Sequence, residues 1–162
     1  MKTLQQSQAI LERHLNDYIK DVESHINTWS SLFFRSLGMA SGREGLARAQ
    51  AFVEHTREAD SRLGLLSSLG HIKWGQRSQQ VIKNALAEIF ADNHSLKNQF
   101  QGRDEVRHCN WLDIITNTAG QFDYDDRNLE SFEKELSNNL IEAENQARTL
   151  SFTEIEFYPG PL

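Results

Sequence analysis

Apolar residues recur at spacings of three and four along most of this chain. Leu11, Leu15, Tyr18, Val22, His25, Trp29 and Leu32 form one line, and Ile19, Ile26 and Phe33 widen it, which is the stripe of an amphipathic helix. The spacing predicts a helix over 4–37. At 1.5 Å rise per residue it would run roughly 50 Å, so the pattern implies an elongated molecule or a kinked helix. Gly38-Met39-Ala40-Ser41-Gly42 ends the run. Ser41 and Glu44 then have the spacing of a capping box, in which the serine oxygen accepts the Glu44 amide and the glutamate reaches back. A second helix therefore starts near 42, with Leu46, Ala49, Val53, Thr56 and Leu63 on one side and Phe52, Ala59 and Leu66 adjoining. The glycine-flanked run from Leu63 to Gly70 reads as a helix end followed by a bend.

Trp74, Val81, Ile82, Ala85, Leu86, Ile89 and Phe90 predict a third helix over 73–92. The polar run Asp92-Asn93-His94-Ser95 can interrupt it before Leu96 and Phe100 add two turns. Val106, Cys109, Trp111, Leu112, Ile114 and Ile115 mark a fourth helix over 104–119, with Asp104 as N-cap and Gly120 as C-cap. Beyond an acidic turn, Leu129, Phe132, Leu136, Leu140, Ala143, Ala147 and Leu150 repeat as a heptad-like seam. The tail from Ser151 to Tyr158 alternates apolar and polar at period two, the pattern of a strand. With no second strand to pair it, an extended arm docked on the bundle is expected. The only prolines are Pro159 and Pro161, so nothing earlier forbids a helix interior. The fold predicted is all-α: an elongated helical bundle of about five helices over 1–150, with a short extended C-terminal tail over 151–162.

Composition narrows the class. With 162 residues, 38% hydrophobic and 25% charged, the chain reads as one globular domain able to build a core without disulfides or a structural metal, so no cofactor is called for by stability. The single cysteine, Cys109, excludes an internal disulfide and fits a reducing compartment, which makes a cytoplasmic home the expectation. No stretch approaches the ~18 apolar residues of a membrane span, and the first twenty residues lack the apolar core of a signal peptide, so neither a membrane partner nor export is expected.

The net charge of −6 is unevenly spread. Residues 35–83 hold eight basic residues against four acidic, and residues 104–156 hold thirteen acidic against four basic. Either the two segments neutralise each other or the acidic half suits a basic protein partner. Arg43, Arg48, Arg57 and Arg62 raise the question of nucleic acid. Overall repulsion of phosphate, and the want of a basic stripe interleaved with aromatics, argue against it.

Candidate chemistry is sparse. Glu105-Val106-Arg107-His108 is the one Glu-x-x-His element, where a di-iron carboxylate bundle needs two. His25 sits on the apolar line between Val22 and Trp29, the position of either a hydrogen-bonded core histidine or an inward ligand. An alternative reading therefore builds a metal or small-ligand site in the core from His25, Glu105 and His108, with Cys109 in reserve. As a nucleophile Cys109 is poorly served by His108, since adjacent helical residues point about 100° apart. No Walker loop, dinucleotide fingerprint, nucleophile elbow, zincin motif or EF-hand loop occurs. Asp123-Tyr124-Asp125-Asp126 reads as a turn that caps the last helix. Trp29, Phe33 and Phe34 crowd one helix end and exceed what a single stripe buries, the signature of an apolar contact patch. The function expected is protein–protein binding without catalysis, as an adaptor, inhibitor or immunity-like neutraliser. Its anchors are Trp29, Phe33 and Phe34, its steering charges Glu133, Glu142 and Glu144, and a homo-oligomer is a special case.

Overall fold

The computed structural model describes residues 1–26, 41–101 and 109–157, the side chains of 41, 42 and 150–157 excepted. Among the described residues there are seven α-helices and no strand. They are α1 (Leu4–Ile26), α2 (Ser41–Thr56), α3 (Arg62–Ser68), α4 (Gln76–Ile89), α5 (His94–Phe100), α6 (Trp111–Gln121) and α7 (Leu129–Phe157). Short 3₁₀ turns at Leu69–His71 and Asp126–Asn128 join α3 to the next loop and lead into α7. α1 packs on α2 and α4, α3 on α6, α4 on α5, and α7 on α6 and α5.

The all-α bundle expected from the pattern is present, with seven helices among the described residues where about five were expected. The expected second helix divides into α2 and α3, because Arg57, Glu58 and Asp60 leave the helix and Ser61 opens a new one by accepting the Gly64 amide at 2.9 Å. The expected third helix divides at Asn93, whose side chain accepts the Leu96 amide at 3.2 Å and starts α5. α6 begins at Trp111, later than the expected 104, and the 102–108 stretch lies outside the described residues. Residues 27–37 of the expected first helix lie outside them as well.

α1 opens on a device the apolar pattern does not reveal. The Gln6 amide donates to Thr3 Oγ1 at 3.1 Å and the Thr3 amide donates to Gln6 Oε1 at 2.8 Å, a reciprocal capping box. Its stripe of Leu11, Leu15, Tyr18, Ile19 and Val22 is buried as expected. His25 departs from that line. Its side chain is 66% exposed, and Nδ1 donates to the Asp21 carbonyl one turn back at 2.8 Å, so local bonding and water hold it outside the core.

The C-terminal tail is a second correction. α7 runs without a break to Phe157, so residues 151–157 are helical rather than extended. Phe152 and Ile155 also stand three apart, and lengthening an existing helix needs no new nucleus, whereas an extended segment needs a partner for its backbone.

Candidate functional site

The centre of the molecule is polar at one point. Arg62, the first residue of α3, is fully buried, and its Nη1 donates to Glu133 Oε2 of α7 at 2.8 Å. Its Nε donates to Ser7 Oγ of α1 at 3.1 Å, and its guanidinium carbon lies 5.4 Å from the Phe90 ring centroid. The N-terminus of α3 is held from a distance, the Asp126 carboxylate accepting the Arg62 and Leu63 amides at 2.8 and 3.1 Å. The acidic turn thus caps α3. Asp125 caps the 3₁₀ turn ahead of α7, its side chain accepting the Arg127 amide at 3.0 Å. That side chain also meets the Arg127 guanidinium, whose hydrogen bonds hold the Asp125 carboxyl below the usual carboxylate range.

Glu133 reaches outward from this pair. Its Oε1 accepts from Asn93 Nδ2 at 3.3 Å, and both residues line a cleft of about 740 Å³ between the α4–α5 junction and α7. Ser95 and Ser137 face it, their hydroxyl oxygens 2.5 Å apart, and Gln99 Nε2 donates to Ser137 Oγ at 3.3 Å. Glu130, Ser131, Lys134 and Asn138 complete the α7 side. A cleft of this size admits a small molecule, and its wall offers hydroxyls, amides and the carboxylates of Asp92, Glu130 and Glu133, the last paired with Arg62.

A second buried carboxylate lies further along α7. Glu144 is 2% exposed, and Arg148 Nε stands 3.2 Å from its Oε1 on the same helix. Both of its oxygens are shut off from solvent and have no hydrogen bond among the described residues. Cys109 is near enough to feel it: burial pushes the thiol up, the Glu144 charge adds to the effect, and Lys83 opposes it. A thiol raised in this way is a poor nucleophile at neutral pH.

These placements revise the residues singled out in the sequence. Glu133 and Glu144 are buried, so neither can steer a partner from the surface; Glu142 is exposed. Trp29, Phe33, Phe34, Glu105 and His108 lie outside the described residues. His25 is at the surface, and among the described residues no three His, Cys, Asp or Glu side chains gather as a metal site. Arg62 is buried, Arg57 pairs with Glu12 and Glu54, and Arg48 pairs with Glu44 and donates to the Lys73 carbonyl. No helix among the described residues is long and apolar enough to cross a membrane.

Asn93, Ser95 and Ser137 escaped the sequence pattern as site residues, and Arg62 entered only as a candidate for nucleic acid. A signal existed: Arg62, Leu65, Leu66 and Leu69 share one helical face, as do Glu133, Ser137, Leu140 and Glu144. A charge at such a position is addressed to the core. Comparison of the chain with protein-family models, with curated proteins and with solved structures returns no match.

Proposed function

We propose that this helical domain works by binding another protein and performs no chemistry of its own. The observation that supports it is the outer face of α7. Ile141 is 46% exposed, one of three large hydrophobic residues so placed among the described residues. It lies in a shallow groove of about 670 Å³ with Asn138, Glu142, Asn145, Gln146 and Thr149. An apolar side chain ringed by amides and a carboxylate has the composition of an interface centre with its polar rim. Glu142, with Glu130 beside the cleft, carries the acidic character suited to a basic partner. Trp29, Phe33 and Phe34 stay in the proposal as apolar anchors on the strength of the sequence, and a second copy of the chain is one form the partner can take. A reducing, cytoplasmic setting rests on the single cysteine.

A second reading places a small polar ligand in the cleft between Asn93, Ser95, Glu133 and Ser137, on the strength of its volume and its hydrogen-bonding wall. Native mass spectrometry of untagged protein from its source cells separates the two. Chain mass plus a second polypeptide, lost in an Ile141→Asp variant that keeps its helicity, is the expected result. A bare chain, or added mass from a metal or small molecule, overturns it.

A further inference from the structure

The two long helices bury faces of different kinds. α1 buries Ile10, Leu11, Leu15, Tyr18, Ile19 and Val22 with one small polar residue, Ser7. Between Leu129 and Thr149, α7 buries Phe132, Leu136 and Leu140 beside Glu133, Ser137 and Glu144, so half of its buried residues are polar or ionisable. Contacts of that composition resemble those between parts that separate and rejoin.

The charges on the α7 face give little net hold. Arg62 and Glu133 attract each other, but the attraction is set against the hydration both lose on docking, and Arg62 Nη2 is left without an acceptor. Glu144 opposes docking. Its oxygens are stripped of water and, among the described residues, make no hydrogen bond, while its ion-pair partner there, Arg148, rides on the same helix and does not tie α7 to another element. Undocking returns water to all three groups. Among the described side chains, Phe132, Leu136 and Leu140, the partly buried Leu129, and the hydrogen bonds of Asn93 with Glu133, of Ser137 with Ser95 and Gln99, and of Asn139 with Thr118 remain to hold the helix down.

We propose that α7 is a releasable strap: it undocks as a unit from α5 and α6 while α1, α2 and α4 stay folded. Release uncovers Phe132, Leu136 and Leu140 together with the Arg62 guanidinium. The inference stands apart from the partner-binding reading, because it concerns the isolated chain. Native-state hydrogen exchange of the full chain, read by mass spectrometry, tests it. Amides from Phe132 to Asn145 should exchange at least tenfold faster than the slowest amides of α1 and α4. Glu144→Leu, which removes the unsatisfied carboxylate, should slow exchange in α7 at least threefold and leave α1 unchanged. Equal protection of α7, α1 and α4 in the natural chain overturns the strap, and so does a Glu144→Leu variant whose α7 is no better protected. Should that variant not fold, the comparison within the natural chain still decides.

Discussion

Glu133 Oε2 of α7 lies 2.8 Å from Nη1 of Arg62 of α3, 71 positions away in the chain, with both side chains out of water. The contact joins two helices far apart in the chain. Removing one partner strands the other charge. Glu133→Ala should therefore cost about 3–5 kcal/mol, whereas the double variant Arg62→Met with Glu133→Leu should recover most of the loss. Urea unfolding of the three proteins checks it, and additive losses in the double variant would refute it.

Asp126 holds the same arginine by its backbone. Its two carboxylate oxygens take the Arg62 and Leu63 amides, which an α3 standing alone would leave unsatisfied. Asp126→Ala should cost about 1 kcal/mol, and Asp126→Asn less, since one amide oxygen still accepts. Thermal melts should rank them in that order.

Gly70 is required by a close approach. A methyl group there would sit 1.9 Å from Thr116 Oγ1 and 3.1 Å from the Leu112 carbonyl oxygen. Thr116 is itself pinned, its hydroxyl lying 3.1 Å from the carbonyl oxygens of both Ser67 and Leu112. Gly70→Ala should thus force α6 away from the 3₁₀ turn at a cost of roughly 1–3 kcal/mol. Adding Thr116→Ala should restore only part of that, because the Leu112 backbone remains in the way. Denaturant midpoints of the single and double variants measure both terms.

Glu88 gives stability a pH dependence of known sign. Burial pushes its carboxyl up, but hydrogen bonds and charges from Arg13 and His14 outweigh this and leave it below the usual range. The folded chain then binds this proton less readily than the unfolded chain. The contribution is present above the ordinary glutamate value of about 4.3 and is lost as pH falls through the lowered native value. Glu88→Gln should lower the urea midpoint most at pH 6, and the difference should close on acidification toward pH 3. With Glu88 39% exposed, the effect should stay under about 1 kcal/mol. A gap that widens in acid would contradict the assignment.

Helical character and the identity of most of the core are legible in the spacing of apolar residues along the chain. Leu11, Leu15, Val22, Phe52, Ile82, Leu86, Phe132, Leu136 and Leu140 are buried where the three-and-four spacing puts them, because that period is a local property of the backbone and the hydrophobic effect needs only a common face. Helix boundaries were less legible. The break at Asn93 depends on one side chain choosing a backbone amide, and the tail's period-two pattern fitted helical spacing at Phe152 and Ile155 equally well. The fate of the charges emerges only when the helices pack. Read along the chain, Glu133 and Glu144 look like Glu142, and His25 looks like its neighbours Val22 and Tyr18. Whether a carboxylate meets water, an arginine from a helix 71 positions away, or no hydrogen-bond donor at all is set by packing between elements. That packing is non-local, and no spacing rule within a single helix encodes it.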